Sequence, residues 1–470
     1  MYRQVMAILA VALLLSSCRR AEPPPPILVR YAGVNDDTEE IINERLRSLP
    51  KYSFTPGGAK ILEKGGRSYQ FQRLPNPGYK GADDVLTLAL STHTSTSRPT
   101  GALFFVDLYW FKTFCPEWLV PFAEEKWQVE QFKEDFIKIC YLGDGSKRRL
   151  YAIPFSAKGN VLFYRRDLLK LLGEKPPGTW DELASQVKRL SEMAEKEPAL
   201  AKVQFGLIFH GSHLANDFYP IMWGYGGDIF AADKAKQEAA VEALYRLKQM
   251  VHDSGAGKIR LCPSVDVLRR GVRQGGDRLH RCFARGEAVF MINWDNRLDK
   301  MRKYAEATVA SQQIGVAPIP SRPGQTSASN IGSWGWVVSR RPSREDAWTT
   351  GEEVLAAIKE FVNDLTSVEA QEWLAANHGY IPSRNIVLSE KAEKKIAELG
   401  PGATDAIELF ADPKRLRFID RPHNKRVNDI VEQALRDALE SPLRDADAER
   451  QALRELLDDV RRRAQVFLSE

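Results

Sequence analysis

The sequence predicts an α/β protein in which strands of mainly parallel sheets alternate with helices. The chain has 470 residues, of which 43% are hydrophobic and 27% charged, so it can bury a large core, and its length favours two domains. Short apolar runs alternate with amphipathic segments along most of the chain, which is typical of βαβ crossovers. From residue 345 onward, apolar residues recur at a 3.6-residue spacing and predict mostly helices.

The predicted elements follow from local signals along the chain. A β-branched run at residues 27–32 predicts the first strand, and acidic residues at 36–40 open a helix through Leu49, where carboxylates interact favourably with the helix dipole. Thr179 is the predicted N-cap of a helix that begins at Trp180. Further strands are predicted at 69–73, 101–106, 150–156, 161–165, 204–209, 288–292, 314–318 and 332–339. A bend at Gly159-Asn160 is expected between the strands at 150–156 and 161–165. Further helices are predicted at 82–90, 168–172, 236–254 and in parts of 265–286.

Residues 1–17 form a predicted secretory signal. Arg3 precedes an apolar stretch that is too short to cross a bilayer and that ends in Leu-Ser-Ser-Cys. This ending resembles the bacterial lipobox, so Cys18 is predicted to be acylated, with an ordinary cleavage site as the alternative. Residues 18–26 include four consecutive prolines and predict a solvated tether. The mature protein is therefore expected outside the cytoplasm, anchored to the cell membrane by a lipid.

Four cysteines remain after Cys18, an even number in an exported chain, and they predict disulfides. Proximity in sequence favours the pairs Cys115–Cys140 and Cys262–Cys282, although four cysteines permit three pairings. Each disulfide would stabilise the fold by about 3 kcal/mol in the chain-entropy model. A zinc site is disfavoured, because no CxxC or His/Cys cluster has the spacing of zinc ligands.

Charge and motif content disfavour several other functions. The net charge of +5 is small for this length, and no Lys/Arg stripe carries interleaved aromatic residues, so nucleic acid is a poor candidate partner. The Gly226-Gly227 pair predicts a turn rather than a phosphate-binding loop, because no GxxxxGK[ST] motif is present. The chain also has no GxSxG or HExxH motif. No metal, cofactor or catalytic residue is therefore expected.

Seven short motifs occur in a fixed order between residues 27 and 434. They are Leu-Tyr-Ala-Ile-Pro-Phe at 150–155, Leu-Phe-Tyr-Arg-Arg-Asp-Leu-Leu at 162–169, Pro-Gly-Thr-Trp-Asp-Glu-Leu at 177–183, Trp-Gly-Tyr-Gly-Gly-Asp at 223–228, Phe-Ala-Arg-Gly-Glu-Ala-Val-Phe-Met at 283–291, Trp294, and Gly-Ser-Trp-Gly-Trp at 332–336. Together they resemble the extracellular solute-binding proteins of ABC importers, specifically the large sugar-binding family that includes maltose- and trehalose-binding proteins.

The resemblance implies a two-lobed periplasmic-binding-protein fold of type II, with ligand held between discontinuous α/β lobes. Lobe one would comprise 27–154 and 293–337, and lobe two 155–292 and 338–470. The crossings, at 153–155, 292–294 and 336–338, would carry the hinge changes of closure. The resemblance also implies a non-catalytic, monomeric protein that closes on a sugar or related polar solute and delivers it to the transmembrane subunits of an ABC permease.

Two physical rules select the candidate ligand residues. Ligands of open α/β sheets bind beyond the carboxyl ends of strands, and a pyranose needs an indole for its C–H face beside polar groups for its hydroxyls. The strand-end rule also selects His210, and the crossings also select Lys158. The predicted ligand-binding residues are Asn35, Asp36, Asp107, Trp110, Ser156, His213, Trp223, Trp294, Asn296 and Trp334.

Several of these candidates have structural alternatives. Asp36 is also explained as a helix-start carboxylate, and Trp223 is divided evenly between cleft and core. For His210 and His213, a solvated or hydrogen-bonded pair is favoured over a metal site. Trp180 is predicted to pack at a helix start.

The chain departs from the family pattern in three places. Residues 141–149 and 271–280 are longer than usual, and residues 421–424, Arg-Pro-His-Asn, occupy the stretch where a cleft-facing aromatic residue is usual. A ligand smaller or more polar than an oligosaccharide is therefore an alternative. Two other functions stay open: an exported carbohydrate-active hydrolase with Asp107 and Asp295 as paired carboxylates, and a binding protein that serves a sensory receptor.

Overall fold

The structure is a computed structural model. It describes residues 26–74, 103–108, 111, 119–143, 145–210, 213–253, 257–264, 266–267, 279–339, 352–417, 419 and 424–468. Three residues with predicted roles lie outside these ranges, as do the signal and tether segments before residue 26. They are Cys18, predicted to be acylated, Trp110, predicted to bind ligand, and Cys115, predicted to form a disulfide.

Nearly all described strands belong to one mixed sheet, in the order β2-β3-β4-β1-β5-β12-β8-β10-β9, with β11 also on β8 and β13 on β12. β1 is parallel to β4 and β5, and β9 is parallel to β10, as the βαβ pattern predicts. β8 and β12 are antiparallel to each other. β8 is also antiparallel to β10, and β12 is antiparallel to β5. The strands are β1 (Ile27–Ala32), β2 (Tyr52–Phe54), β3 (Lys60–Lys64), β4 (Arg67–Arg73), β5 (Leu103–Asp107), β6 (Tyr141–Leu142), β7 (Arg149–Leu150), β8 (Ile153–Arg165), β9 (Phe205–Ile208), β10 (Ala288–Trp294), β11 (Ile314–Ala317), β12 (Ser329–Val338) and β13 (Leu416–Arg417).

Helices alternate with these strands and make up most of the chain after residue 352. No described helix combines the length and apolarity that crossing a bilayer requires. The described helices are α1 (Asp36–Arg47), α2 (Glu134–Lys138), α3 (Arg166–Leu172), α4 (Trp180–Met193), α5 (Leu214–Gly224), α6 (Lys234–His252), α7 (Leu279–Ala284), α8 (Arg297–Lys303), α9 (Glu352–Thr366), α10 (Val368–His378), α11 (Glu390–Leu399), α12 (Pro401–Leu409), α13 (Asn424–Glu440) and α14 (Ala446–Leu468).

The start of α4 confirms a predicted helix cap. The Thr179 hydroxyl accepts a hydrogen bond from the Glu182 N–H at 3.2 Å, and the Glu182 carboxylate accepts one from the Thr179 N–H at 3.2 Å. This reciprocal pair is a capping box. Trp180 is buried at the first helical position, so its predicted packing role is also confirmed.

β8 differs from the prediction of two strands with a bend at Gly159-Asn160. The strand runs unbroken for 13 residues, from Ile153 to Arg165. Its first part pairs with β12 and its second part with β10 and β11, so partners on both sides keep it extended. Gly159 is needed for packing rather than for a turn, because a Cβ there would lie 2.4 Å from Cζ of Phe410.

Two hydrophobic cores share this sheet. The first includes Val29, Phe71 and Phe361, and the second includes Leu207 and Leu435. β8 passes from the first core at residue 155 to the second at 157, and β12 passes from the second at 331 to the first at 336. The two strands therefore connect both cores. The lobe boundaries given above stay a prediction.

The described cysteines correct the expected disulfides. Cys140, Cys262 and Cys282 are all free, so neither a Cys262–Cys282 bond nor a bond from Cys140 is present. Cys140 and Cys262 are buried in different cores, and the Cys140 thiol donates to the Phe136 carbonyl at 3.3 Å. The Cys282 thiol is hydrogen-bonded to Glu287, and burial raises the pKa of all three thiols. Each cysteine therefore has its own packing environment.

A buried ion pair attaches the last helix to α6. Lys248 Nζ lies 2.7 Å from Glu449 Oε1, and their side chains are only 1% and 2% exposed. Lys248 also donates to Ser441 Oγ at 2.8 Å, and the second Glu449 oxygen accepts from the Arg444 N–H at 3.0 Å. Each member of the pair thus has a further hydrogen-bond partner, which helps to offset the cost of burying both charges.

Lys248→Met is expected to lower the free energy of unfolding by about 3–5 kcal/mol, because it leaves the Glu449 carboxylate buried without its cation. Urea denaturation followed by circular dichroism measures the change. The double variant Lys248→Met/Glu449→Leu should regain most of the loss, since it removes the orphaned charge as well. Unchanged unfolding of the single variant would contradict the importance of the pair.

Candidate ligand-binding site

Three predicted ligand residues lie side by side on one face of the sheet. Trp334 on β12 is paired with Asp107 on β5 and with Ser156 on β8. Residues directly opposed in neighbouring strands point to the same side of a sheet, so the three side chains share that side. The Trp334 ring is half-buried and stacks on Phe105, with centroids 5.3 Å apart and planes at 15°. A carboxylate, a hydroxyl and an indole are thus brought together.

The same face extends to Trp294. Side chains two residues apart on a strand point the same way, so Lys158 and Asn160 of β8 share the face of Ser156. Trp294, the last residue of β10, opposes Asn160. The register therefore places Trp294 on the same face as Trp334, as the sequence motifs predict for a shared site.

The Lys158 ammonium lies near both indoles. Its Nζ is 5.2 Å from the ring centroid of Trp294 and 5.7 Å from that of Trp334. Cation–π attraction at such distances contributes about 0.5–2 kcal/mol. Burial lowers the pKa of Lys158 to about 8, and the attraction of Asp107 only partly opposes this effect. The ammonium is therefore incompletely compensated by the protein around it.

A glycine occupies position 332 of β12, which opposes Lys158. A Cβ on Gly332 would lie 2.9 Å from Lys158 Cε and 3.1 and 3.2 Å from Cζ3 and Cη2 of Trp294. A side chain there would crowd the flexible end of Lys158 and the edge of the Trp294 ring. The glycine thus makes room for the cation and for one indole.

Asp295, which follows β10, is hydrogen-bonded to β8. Its Oδ1 accepts from the Gly159 N–H at 2.7 Å, and its own N–H donates to the Gly159 carbonyl at 3.0 Å. The side chain is 2% exposed, and Oδ2 has no hydrogen-bond partner among the described residues. Burial raises the pKa of Asp295 to about 7, outweighing the Gly159 hydrogen bond and the attraction of Lys158.

A chain of buried polar groups fixes the backbone of Trp294. Asn160 Nδ2 donates to Asp217 Oδ1 at 2.9 Å, and the His210 N–H donates to Asp217 Oδ2 at 2.6 Å. His210 Nε2 lies 3.1 Å from Asn293 Oδ1, which accepts from the Trp294 N–H at 2.8 Å. The chain joins β8, α5, the residues after β9, and β10.

Asn330 is a further polar residue of this face, two positions before Gly332. It is 0% exposed, and neither its Oδ1 nor its Nδ2 has a hydrogen-bond partner among the described residues. Burying such a group unsatisfied costs about 1–3 kcal/mol, and native structures usually satisfy it with water or ligand. Sequence reasoning did not select Asn330 as a ligand residue. Its burial, which has no local sequence signal, distinguishes it.

Asn35 and Asp36, two of the predicted ligand residues, have local roles at the start of α1. Asn35 is exposed, and its Oδ1 accepts from the Thr38 N–H at 2.9 Å as the N-cap. Asp36 has a 94% exposed side chain and forms an ion pair with Arg73 at 2.8 Å. The contacts of Asp36 are those of the helix-start carboxylate considered as its alternative.

The remaining candidates have other neighbours. Trp223 is buried in the second core and stacks on Tyr219 with centroids 5.8 Å apart, so its contacts are those of a core residue. His213 is exposed before α5, with its ring centroid 6.1 Å from that of His210. Asn296, at the start of α8, is hydrogen-bonded to Tyr380. Within the described part of the chain, no three His, Cys, Asp or Glu residues form a group that could hold a metal ion.

Residues 63–399, including β8, β10, β12 and the face they form, match the family of bacterial extracellular solute-binding proteins. The chain belongs to this family. The resemblance seen in the seven motifs is thereby confirmed, and the family consists of binding proteins that act outside the cytoplasm.

A relative from Deinococcus radiodurans, named "Probable ABC transporter-binding protein", is 25% identical over 252 residues, which are 52% of this chain and 53% of the relative. The chain thus spans about half the length of the curated relatives it matches.

Solved structures of other solute-binding proteins have the same fold. Maltose-bound MalE3 of T. maritima has a TM-score of 0.68 at 21% identity, covering 92% of this chain and 99% of that one. The GacH receptor of Streptomyces glaucescens, solved unliganded and with acarbose, has a TM-score of 0.64 at 16% identity, with coverage of 95% and 99%. UgpB from Mycobacterium tuberculosis, in complex with glycerophosphocholine, has a TM-score of 0.65 at 16% identity, with coverage of 95% and 98%. The two-lobed periplasmic-binding-protein fold is confirmed.

Asp295→Asn is expected to stabilise this solute-binding protein increasingly as the pH rises from 4 to 7. The carboxyl pKa is raised from 3.8 to about 7 in the folded state, so the folded protein keeps a proton that the unfolded chain releases in this window. The free energy of unfolding of the wild type therefore falls as the pH rises through it. The loss is on the order of 2–4 kcal/mol and is complete above about pH 7.

Urea unfolding at pH 4, 5.5, 7 and 8 measures this effect. The difference between Asp295→Asn and wild type should grow in favour of the variant up to pH 7 and then stay constant. A difference that does not change with pH would show that Asp295 is ionised in the folded protein throughout.

Proposed function

We propose that this solute-binding protein captures a carbohydrate or related polar solute on the face formed by β5, β12, β8 and β10, and delivers it to an ABC import permease. The supporting observation is the shared face of Trp294, Trp334, Asp107, Ser156 and Lys158 where the two cores meet. A pyranose would stack its C–H face on the indoles. Its hydroxyls would reach the carboxylate, the serine hydroxyl and the ammonium.

The structural neighbours support a carbohydrate ligand. Maltose and acarbose are the ligands in the MalE3 and GacH structures, whose folds match this chain over nearly its whole length. The name of the Deinococcus relative associates that protein with an ABC transporter, which supports import. Permease transmembrane subunits are the partner that such a function requires.

Closure of the two lobes would couple binding to delivery. In this proposal, 27–154 with 293–337 form one lobe and 155–292 with 338–470 the other. A solute that contacts both lobes favours the closed state by the free energy of its contacts with the second lobe. β8 and β12, which run through both cores, would be the segments that bend. The protein would act as a monomer.

Export and anchoring complete the proposal. The family's location outside the cytoplasm agrees with a cleaved signal at 1–17, and Leu-Ser-Ser-Cys at residues 15–18 supports acylation of Cys18. A lipid at Cys18 followed by a proline-rich tether would keep the binding lobes close to a membrane-bound permease.

Trp294→Ala is expected to weaken ligand binding at least ten-fold while changing the apo melting temperature little, because the ring is half-buried at the site. Isothermal titration calorimetry with any sugar that raises the melting temperature of the wild type measures the affinity. Trp180→Ala is the matched control: it should lower the free energy of unfolding by about 3–5 kcal/mol and leave the affinity unchanged. Equal affinities of wild type and Trp294→Ala would show that Trp294 does not contact the ligand.

Incubation of the purified protein with a bound sugar should return that sugar intact, since a binding protein releases its ligand unchanged. Chromatography of the recovered sugar measures this. Asp107→Asn is the matched variant for the hydrolase alternative. If wild type formed hydrolysis products and Asp107→Asn did not, the protein would be a hydrolase rather than a binding protein.

A further inference from the structure

Lys158 has no ion-pair partner among the described residues. No carboxylate there lies within the 4.0 Å of its Nζ that an ion pair requires, and its recorded contacts are the rings of Trp294 and Trp334. The two fully buried lysines elsewhere behave differently. Lys60 is paired with Glu39, and Lys248 is paired with Glu449. These two ammonium groups are each neutralised by a carboxylate, which Lys158 lacks among the described residues.

Charges of both signs act on the Lys158 ammonium. Asp107 and Asp295 attract the ammonium, and Arg297 and Lys300 repel it. Asp295 is only partly ionised near neutral pH, because burial raises its pKa to about 7.

Two of these groups act differently on the ammonium. Lys300 is itself in an ion pair with Asp37. Asp107 supplies the main attraction to Lys158.

The indoles do not replace an anion. A cation–π contact contributes about 0.5–2 kcal/mol, whereas withdrawing an ammonium from water costs several kcal/mol. The rings also leave the three ammonium N–H groups without an oxygen acceptor. The lowered pKa of Lys158, about 8, agrees with this incomplete compensation. An acceptor from outside the chain would complete it.

The face also offers a polar amide. Asn330 is two residues from Gly332 on β12, is fully buried, and has neither side-chain atom hydrogen-bonded among the described residues. It can accept one hydroxyl and donate to another oxygen. Its place on the face of Lys158 makes it a second polar contact for a solute that stacks on the indoles.

We propose that the solute carries a negatively charged group, a carboxylate or a phosphate, which binds the Lys158 ammonium while the rest of the solute stacks on Trp294 and Trp334. This inference rests on the proposed function and names the substrate class of the same site: hexuronates and sugar phosphates rather than neutral sugars. A hydrogen bond from an ammonium to an anionic oxygen is about twice as strong as one between neutral groups. Lys158 is then the residue that determines specificity.

The experiment compares charged and neutral probes by calorimetry on the full mature protein. The neutral probes are galactose, glucose and maltose, and the charged probes are galacturonate, glucuronate, glucose 6-phosphate, and inorganic phosphate alone. At least one charged sugar should bind the wild type at least ten-fold more tightly than its neutral counterpart. Lys158→Met should lose at least ten-fold in that affinity and Lys158→Arg should retain most of it. Lys202→Met, which removes one charge from an exposed position, should bind as the wild type does.

Neutral sugars that bind wild type and Lys158→Met equally, with no charged probe bound, would overturn the inference and leave the proposed function standing. The inference would also be overturned if inorganic phosphate bound as tightly as glucose 6-phosphate and its affinity were unchanged by Trp294→Ala. The anion would then bind apart from the stacking site. Failure of every sugar to bind would overturn both the inference and the proposed carbohydrate function.

Discussion

The continuity of β8 and β12 through two hydrophobic cores is the constraint on which the rest of the molecule depends. Each strand contributes apolar side chains to one core, crosses the space between the cores, and then contributes apolar side chains to the other core. At the crossing, one face of β8 carries Ser156, Lys158 and Asn160 in place of apolar residues. Polar residues are tolerated there because neither core needs that stretch of the face. The candidate site is therefore a consequence of the topology.

The two indoles of the site are held by different cores. Trp334 packs against Phe105 and the first core. Trp294 ends β10, whose preceding residues belong to the second core, and its backbone is fixed through Asn293 and His210. Their separation is thus set by how the two cores lie relative to each other. A solute that stacks on both rings would bind most tightly at one relative position of the two cores. A closure mechanism requires such a dependence of affinity on conformation.

Sequence reasoning succeeded where the signal was local. The capping box at Thr179 and the strand at 27–32 depend on neighbouring residues, and the structure has both. The bend expected at Gly159-Asn160 was wrong, because that dipeptide favours a turn locally while strand pairing with β12 and β10 keeps it extended. The even cysteine count was likewise compositional and could not show that Cys140 and Cys262 lie in different cores.

The same distinction separates the residues of the candidate site that sequence motifs select from those that only the structure reveals. Trp294 and Trp334 stand in recognisable motifs, whereas the roles of Asn160, Asp217 and Asn293 exist only in contacts between distant segments.

Gly332 lies next to two features of the candidate site. A Cβ there would approach both the end of the Lys158 side chain and the edge of the Trp294 ring, so a substitution would affect the charged group and the stacking surface together. Under the proposed function, a homologous chain that acquired a side chain here would change the charge and the shape of its site in one step. Adjusting either property alone would then have to begin at the neighbouring strands.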